Sequence, residues 1–400
     1  MRILQINALI SHGSTGVIAK DIGRLLEKNG HEVFFASPEP FDSVNTYQIG
    51  NKLDHKIHAS LCRILGLQGY FSIFATLKLI NWINGIKPDI IQIHNLHSNY
   101  INYEILFSYI RMKRIRTVIT LHDCWFFTGK CFHYLYNGCK KWMDCCGNCP
   151  RLHDEQSSLF FDRTRKVLLD KKRYIGQNES VELVAVSKWI ASQASKSVIK
   201  ERKITVIHNG IDLEVFYPRH IFNEYFKGFK DKFVIMGMAN KWLYEENIET
   251  FHYIVENLSD DEVILLVGCP EKQRKGLPNK VVGVPFSDSD FLAQLYSRAD
   301  VFVNLTKVDT YPTVNMEALA CGTPVVTFDS GGSKECIIPG ETGYVAKFGD
   351  KEAILHSIHQ VRENGKSRYA CLCREYAIAN CDKNRCYYEY LKLYETGEVR

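Results

Sequence analysis

A chain of 400 residues with 46% hydrophobic and 24% charged residues has the balance of a soluble globular protein, not of a disordered or fibrous one. One core has usually stopped growing at this length, so two domains of about 150 to 200 residues each are expected. The net charge of +5 joins a basic half, 28 Lys and Arg against 17 Asp and Glu in residues 1–208, to an acidic half with 22 against 28 in residues 209–400. The asymmetry points the first half at something anionic: nucleic acid, a membrane surface or a phosphorylated substrate.

Met1-Arg2-Ile3-Leu4-Gln5-Ile6-Asn7 runs directly into a strand pattern, without the basic start, apolar core and cleavage site of a signal peptide, so a cytoplasmic protein is expected. Strands are predicted near Ile3–Ile6, Glu32–Ala36, Asp89–Ile93, Thr117–Leu121, Glu182–Val186 and Ile204–Ile207, with amphipathic helical stretches between them. The helix after the first strand places Val17, Ile18, Ile22, Leu25 and Leu26 on one side and stops at Asn29-Gly30. The apolar stretch from Phe71 to Ile83 is interrupted by Lys78 and Asn81 and is shorter than the roughly 18 to 20 residues that span a bilayer, so any membrane contact is peripheral. Past an aromatic, polar stretch ending near Asp231, a second series follows at Phe233–Met236, Val263–Val267, Val301–Asn304 and Pro324–Thr327. Domains are therefore expected over residues 1–210 and 211–380. Residues 381–400, with Tyr387, Tyr390, Leu391 and Tyr394 at helical spacing, are expected to form a closing helix on the first domain. Two parallel α/β units of this kind would enclose a cleft at the carboxyl ends of their strands, where ligands bind.

The first strand leads into Ser11-His12-Gly13-Ser14-Thr15-Gly16, with a helix expected from about Gly16. Small residues and free amides there suit a phosphate or sugar, or else a tight turn. Fourteen cysteines in such a chain read as reduced thiols or metal ligands rather than disulfides. Within the Cys-rich loop of residues 124–150, Cys131, Cys139, Cys146 and Cys149 have the spacing of a closed zinc site, Cys146-Gly-Asn-Cys149 being the close pair; buried free thiols are the competing reading. The basic runs Arg111–Arg116, Arg163–Arg173 and Lys196–Lys203 read as solvated helix faces or, with apolar neighbours Val167, Leu168, Leu169, Val198 and Ile199, as a peripheral docking face for anionic lipid. Aromatic spacing of a nucleic-acid module does not accompany them, and no nucleic-acid partner is expected.

The most informative segment is Asp309-Thr-Tyr-Pro-Thr-Val-Asn-Met-Glu317-Ala-Leu-Ala-Cys-Gly322-Thr-Pro324-Val-Val, followed by Gly331-Gly332-Ser333. Two carboxylates seven residues apart flank a loop and a helix start, so that amides near Thr313 and Val314 face an anion while Glu317 lies one turn further in. An ordinary capped helix is the plainer reading. The run resembles the E-x7-E signature of the retaining glycosyltransferases of family 4, which share the GT-B fold of two Rossmann-like domains. Leu121-His122-Asp123, Val184-Ala-Val-Ser187 and Val206-Ile-His-Asn209-Gly210-Ile-Asp212 extend the resemblance over most of the chain.

That resemblance implies transfer of a hexose from a UDP- or GDP-sugar, with retention, to a hydroxyl of a growing glycan, polyprenyl-linked at the cytoplasmic membrane face, as in exopolysaccharide or O-antigen synthesis. Glu317 would bind the nucleotide ribose. Asp309, one methylene shorter than the usual Glu, would contact the transferred sugar, and His122 with Asp123 would face the reaction centre. Gly16, Asn240, Lys241, Thr313, Val314 and Asn315 complete the expected donor site. No cofactor is implied for catalysis, and zinc would be structural. Asp288-Ser-Asp290 resembles a metal-binding D-x-D of another glycosyltransferase fold but precedes Phe291-Leu-Ala-Gln-Leu as helix caps do. One departure stands out: Glu246-Asn247 replaces the family's diphosphate-gripping Lys-Gly, which leaves a non-catalytic GT-B scaffold or partner subunit as the alternative.

Overall fold

The computed structural model describes residues 1–10, 12–40, 45–219, 228–286 and 288–397, which excludes Ser11 of the first turn. It divides into two units, one of Met1–His208 with Tyr387–Arg400 and one of Asn209–Cys386. Asn209 and Gly210 therefore go with the second unit, two residues earlier than the sequence boundary.

The first unit is one parallel sheet of β1 (Arg2–Ile6), β2 (Glu32–Ser37), β3 (Thr46–Gln48), β4 (Ile90–Ile93), β5 (Arg116–Leu121), β6 (Val181–Ala185) and β7 (Ile204–Val206), in the order β3-β2-β1-β4-β5-β6-β7. The second repeats the plan with β8 (Phe233–Met238), β9 (Glu262–Val267), β10 (Val281–Val284), β11 (Val301–Asn304), β12 (Val325–Phe328) and β13 (Gly343–Ala346), in the order β10-β9-β8-β11-β12-β13. Both have the Rossmann order, so in each the strand order reverses at one switch point, between β1 and β4 and between β8 and β11. The central strands are buried on both faces, as continuous runs such as Ile90-Ile91-Gln92-Ile93 and Val301-Phe302-Val303-Asn304 require.

The three strands that hydropathy patterning misses, β3, β10 and β13, lie at sheet edges. Each is only three or four residues long and partly exposed, too short to stand out as a strand pattern. The first helix begins at Gly13, not Gly16, and Val17, placed on its apolar side, is 48% exposed.

The last helix, Lys383–Thr396, brings Tyr390 and Tyr394 into the first unit's core. Tyr394 Oη donates to Gln92 Oε1 at 2.7 Å, Gln92 Nε2 donates to Thr120 Oγ1 at 2.6 Å, and Thr120 Oγ1 lies 3.0 Å from Tyr390 Oη. Arg116 holds the helix end through the carbonyls of Leu393 and Tyr394, at 2.6 and 2.7 Å. Two mid-strand polar residues, Gln92 and Thr120, are thus satisfied by the chain's last turns.

The apolar neighbours of the basic runs divide between core and surface. Val167, Leu168, Val198 and Ile199 belong to the core, and Lys171 is fully buried, donating to the Thr128 carbonyl at 2.9 Å. Leu169 and Met112 stay exposed within the basic runs, and a further set of exposed apolar side chains lies on the Lys52–Leu65 helix, which presents Leu53, Ile57 and Ile64 beside exposed Lys52, Lys56 and Arg63. The Leu159–Phe161 segment is tied to that helix by a 2.7 Å bond from Leu159 N–H to the Arg63 carbonyl.

Candidate active site

In the first unit, parallel strands next to the switch point deliver their next residues side by side: His94 after β4 and His122 after β5. The rings lie 3.0 Å apart, His94 Nδ1 to His122 Nε2, with centroids 5.3 Å apart and an interplanar angle of 21°. Burial pushes His94 well below its ordinary pKa, helped by His122, and lowers His122 to about 4 even though Asp123 acts the other way. Both rings are therefore neutral near pH 7.

Their tautomers follow from one fixed acceptor. Gln5 Nε2 donates to the Ala19 carbonyl at 3.0 Å, which turns Gln5 Oε1 toward His94 Nε2 at 2.9 Å. Since Oε1 only accepts, His94 carries its proton on Nε2 and accepts at Nδ1, so His122 must donate from Nε2. Gln5 and His94 are both 0% exposed, so bulk solvent does not reach the chain. Neither residue is among those singled out from sequence. The available signals were a Gln within an apolar strand and a His at a strand end.

Asp123 does not stand as an open carboxylate beside His122. Its Oδ2 lies 2.9 Å from His97 Nε2, and its Oδ1 accepts the Trp125 N–H at 2.8 Å. Burial raises its pKa, but His97 and that amide outweigh burial and leave it below the ordinary carboxyl value. Its observed work is to order the turn after β5. Gly16 needs a second correction. It is buried, and a Cβ there would meet the backbone of Leu9 at 3.2 Å, so it admits close packing. The helix starts three residues earlier, and its outward amides belong to His12 through Thr15.

In the second unit, β11 leads through Asp309 to the Thr313–Ala320 helix. Pro312 precedes it without an N–H, and Asn315 N–H bonds the Pro312 carbonyl at 3.3 Å, so Thr313 and Val314 present the first amides. Glu317 is held by Tyr296 Oη at 3.2 Å and by the Thr313 hydroxyl, yet burial dominates and raises its carboxyl to about 7. Asp309 Oδ1 accepts the Tyr311 N–H at 3.2 Å, while its carbonyl accepts from Gly332 N–H at 2.8 Å. Gly331, at φ +61°, passes so close to Asp309 that a Cβ would come within 2.0 Å of that carbonyl oxygen. The Gly-Gly turn therefore sets where Asp309 sits.

The Asn315 side chain is an internal strut. It is fully buried, accepts from Asn304 Nδ2 at 2.8 Å and donates to the Ser333 carbonyl at 3.1 Å. At the end of β8, Asn240 is exposed, and Lys241 Nζ lies 3.3 Å from Thr306 Oγ1 at the end of β11. Asn247 is buried and donates to the carbonyls of Lys241, at 2.8 Å, and Leu305, joining these two strand ends across the switch point. Glu246, whose charge looked unfavourable for a diphosphate, is paired with Lys307 at 2.8 Å. Lys307 was missed because sixty-one positions separate the partners.

Two Rossmann-like units, each a parallel sheet with one switch point, fix the fold, and the family comparison supplies the class. The model of glycosyltransferase family 4 matches residues 15–215, and that of glycosyl transferases group 1 matches residues 228–377. The chain belongs to glycosyltransferase family 4. Among relatives, WcaC of Escherichia coli, named for glycosyl transfer in colanic acid biosynthesis, is 22% identical over 356 residues, 84% of this chain and 85% of its own length. Sucrose-phosphate synthase of Thermosynechococcus elongatus shares the fold with a TM-score of 0.71 at 17% identity, covering 98% of each chain. HepE of Anabaena, solved with UDP-glucose, does so with a TM-score of 0.64 at 15% identity, over 98% of this chain and 99% of its own.

Proposed function

We propose that this glycosyltransferase moves a hexose, with retention of configuration, from a nucleoside diphosphate sugar to a hydroxyl of a growing, lipid-linked surface glycan. The observation that carries the reading is Glu317, a buried carboxylate one turn inside a helix whose first amides belong to Thr313 and Val314, a helix start of the kind that suits a diphosphate. In this reading Glu317 accepts from the ribose diol and Asp309 from sugar hydroxyls. His122 lies at the reaction centre with its ring orientation fixed by His94. Helix amides and lysines stabilise the leaving diphosphate, a preorganised electrostatic contribution that needs no metal. The relative named for colanic acid biosynthesis and the neighbour solved with UDP-glucose support the acceptor and donor classes. Incubation with UDP- and GDP-sugars and a polyprenyl-diphosphate acceptor tests it. Nucleoside diphosphate release with an α-linked product from an α-linked donor is expected, whereas no turnover from folded protein leaves the scaffold reading.

Lys241 and Lys307 take the place of the family's Lys toward the diphosphate. Glu246 is 31% exposed and Lys307 22%, so their pair is worth only about 0.2–1 kcal/mol. Lys307→Ala is expected to weaken UDP binding about 2- to 5-fold or more, because it removes a cation and leaves Glu246 unopposed. Adding Glu246→Gln should recover most of that loss by isothermal titration. Unchanged affinity in Lys307→Ala would remove Lys307 from the donor site.

No helix among the described residues is long and apolar enough to cross a membrane. The Leu53, Ile57 and Ile64 stripe, with its lysines, Arg63 and nearby Phe160, has the chemistry of an interfacial face for anionic lipid. Co-sedimentation with phosphatidylglycerol vesicles is expected to fall sharply in Ile57→Asp and in Phe160→Asp, with melting temperature unchanged. Equal binding by parent and variants would dispose of this face.

A further inference from the structure

Directly after Asp123 the chain runs to Arg163 with no strand and no α-helix, only the short turns Trp125–Phe127, Tyr134–Asn137 and Lys141–Met143. A segment this long needs something besides backbone hydrogen bonds to fix it. Its four spaced cysteines, Cys131, Cys139, Cys146 and Cys149, together line one cavity of about 20 Å³, room for about one water-sized sphere. Trp142 and Tyr134 supply its apolar wall. All four thiols are unbridged.

The backbone around them already has the form of a thiolate site. Between Cys146 and Cys149 the chain turns through Gly147 at φ +129° and Asn148 at φ +44°, and both residues give their carbonyls to Lys141 Nζ, at 2.9 and 2.8 Å. The turn brings both sulfurs of the pair to one side. The amides of Gly129 and Arg151 hydrogen-bond to the sulfurs of Cys146 and Cys149, the outer-shell contacts that orient metal-bound thiolates. Gly129 runs so close that a Cβ would lie 3.1 Å from that of Cys146. Lys130, anchored on the carbonyls of Arg151 and Leu152 at 2.6 and 2.9 Å, and Arg151 itself supply cationic charge beside the cluster. Four thiolates on one divalent ion leave a net negative centre, which such cations balance. The loop's two other cysteines stand apart: Cys124 is buried at its start, and Cys145 is turned aside, its Sγ bonded to the Cys146 carbonyl at 3.3 Å.

The sulfurs line the cavity without standing at coordination distance; among the described residues no three His, Cys, Asp or Glu side chains are so disposed. Reaching an ion takes rotation of cysteine side chains on a backbone that is already turned. We infer that Cys131, Cys139, Cys146 and Cys149 bind one structural zinc ion that fixes the loop following Asp123. An all-sulfur, four-ligand set leaves no open position, which selects a structural rather than a catalytic ion and a soft, tetrahedral metal.

The test uses the full untagged chain. Elemental analysis is expected to find about one zinc per chain, retained through dialysis. A mercurial thiol reagent should release it stoichiometrically, with a fall in melting temperature. Cys146→Ser should lose the zinc, while Cys371→Ser, an exposed thiol on another helix, should keep it. Should Cys146→Ser fail to fold, cobalt substitution of the parent chain decides. Intense sulfur-to-cobalt charge-transfer absorption with tetrahedral d–d bands sustains the site, and their absence overturns it. Zinc below a tenth of an equivalent in folded parent protein, or disulfides among the four cysteines by mass spectrometry, also overturns it.

Discussion

Glu317→Gln is expected to abolish useful donor binding and, at the same time, to make the unliganded protein more stable above neutral pH. Both effects come from one buried carboxyl. Its pKa is about 7 in the folded chain against 4.5 in the ordinary state, so between those values the native state holds a proton that the unfolded state has released. Stability therefore falls as pH rises through this window, and the penalty is fully present above pH 7. A shift of this size corresponds to about 3 kcal/mol, which Gln, neutral at every pH, removes. The melting temperature of Glu317→Gln should exceed that of the parent at pH 8 and match it near pH 4.

The donor effect has the opposite sign. A ribose diol donates two hydrogen bonds to the ionised carboxylate, each worth about 1.5–3 kcal/mol, whereas an amide is uncharged and offers one accepting oxygen in place of two. UDP affinity should drop about 10- to 100-fold, and the parent's rise in affinity as pH passes through 7 should disappear. Equal UDP affinity in parent and variant would remove Glu317 from the ribose site. Equal stability at pH 8 would show that the carboxyl carries no burial penalty.

Replacing His94 by Leu is expected to release His122 from its single tautomer. The substitution strands His122 Nε2–H and Gln5 Oε1 in a buried site, at about 1–3 kcal/mol for each. Gln5→Met is the gentler variant, since it keeps both rings in contact and removes only the group that dictates where the protons lie. In the parent, nitrogen NMR should show His122 as the Nε2–H form alone, and in Gln5→Met a mixture of forms. Transfer rate should fall in Gln5→Met by more than its melting temperature suggests, because the reaction centre meets a ring of mixed polarity. An unchanged single tautomer in both variants would end the positioning role of Gln5 and His94. The pair also predicts an acid limit: the unfolded chain protonates His122 at its ordinary value of 6.5 and the folded chain at about 4. Stability should therefore fall as pH drops from 6.5 toward 4.

The residues legible in the sequence are those whose meaning is local. Asp309 and Glu317 are read from spacing along one loop and helix, Thr313 and Val314 from their place at its start, and His122 from its position after a strand. The four cysteines are likewise found by spacing, and they do line one cavity. What stayed hidden were the distant partners. Glu246 looks repulsive until Lys307 is beside it, while His97 beside Asp123, and Asn304 and Ser333 beside Asn315, are not visible in the sequence. Lys171 was read as surface charge because a buried lysine cannot be told from an exposed one without its acceptors, the carbonyls of Trp125 and Thr128.

By itself, then, the sequence determined the α/β class, the two-unit plan, the closing helix and the segment that binds a donor in the family. All of these rest on apolar periodicity and contiguous motifs, which short-range geometry reads directly. The tertiary structure alone decided the edge strands, the charge balance around Glu246 and the direction of the Gln5–His94–His122 chain. The physical reason is that parallel strands place side by side residues that lie tens of positions apart. Burial then makes each polar group's partner, and not its identity, decide its charge and proton.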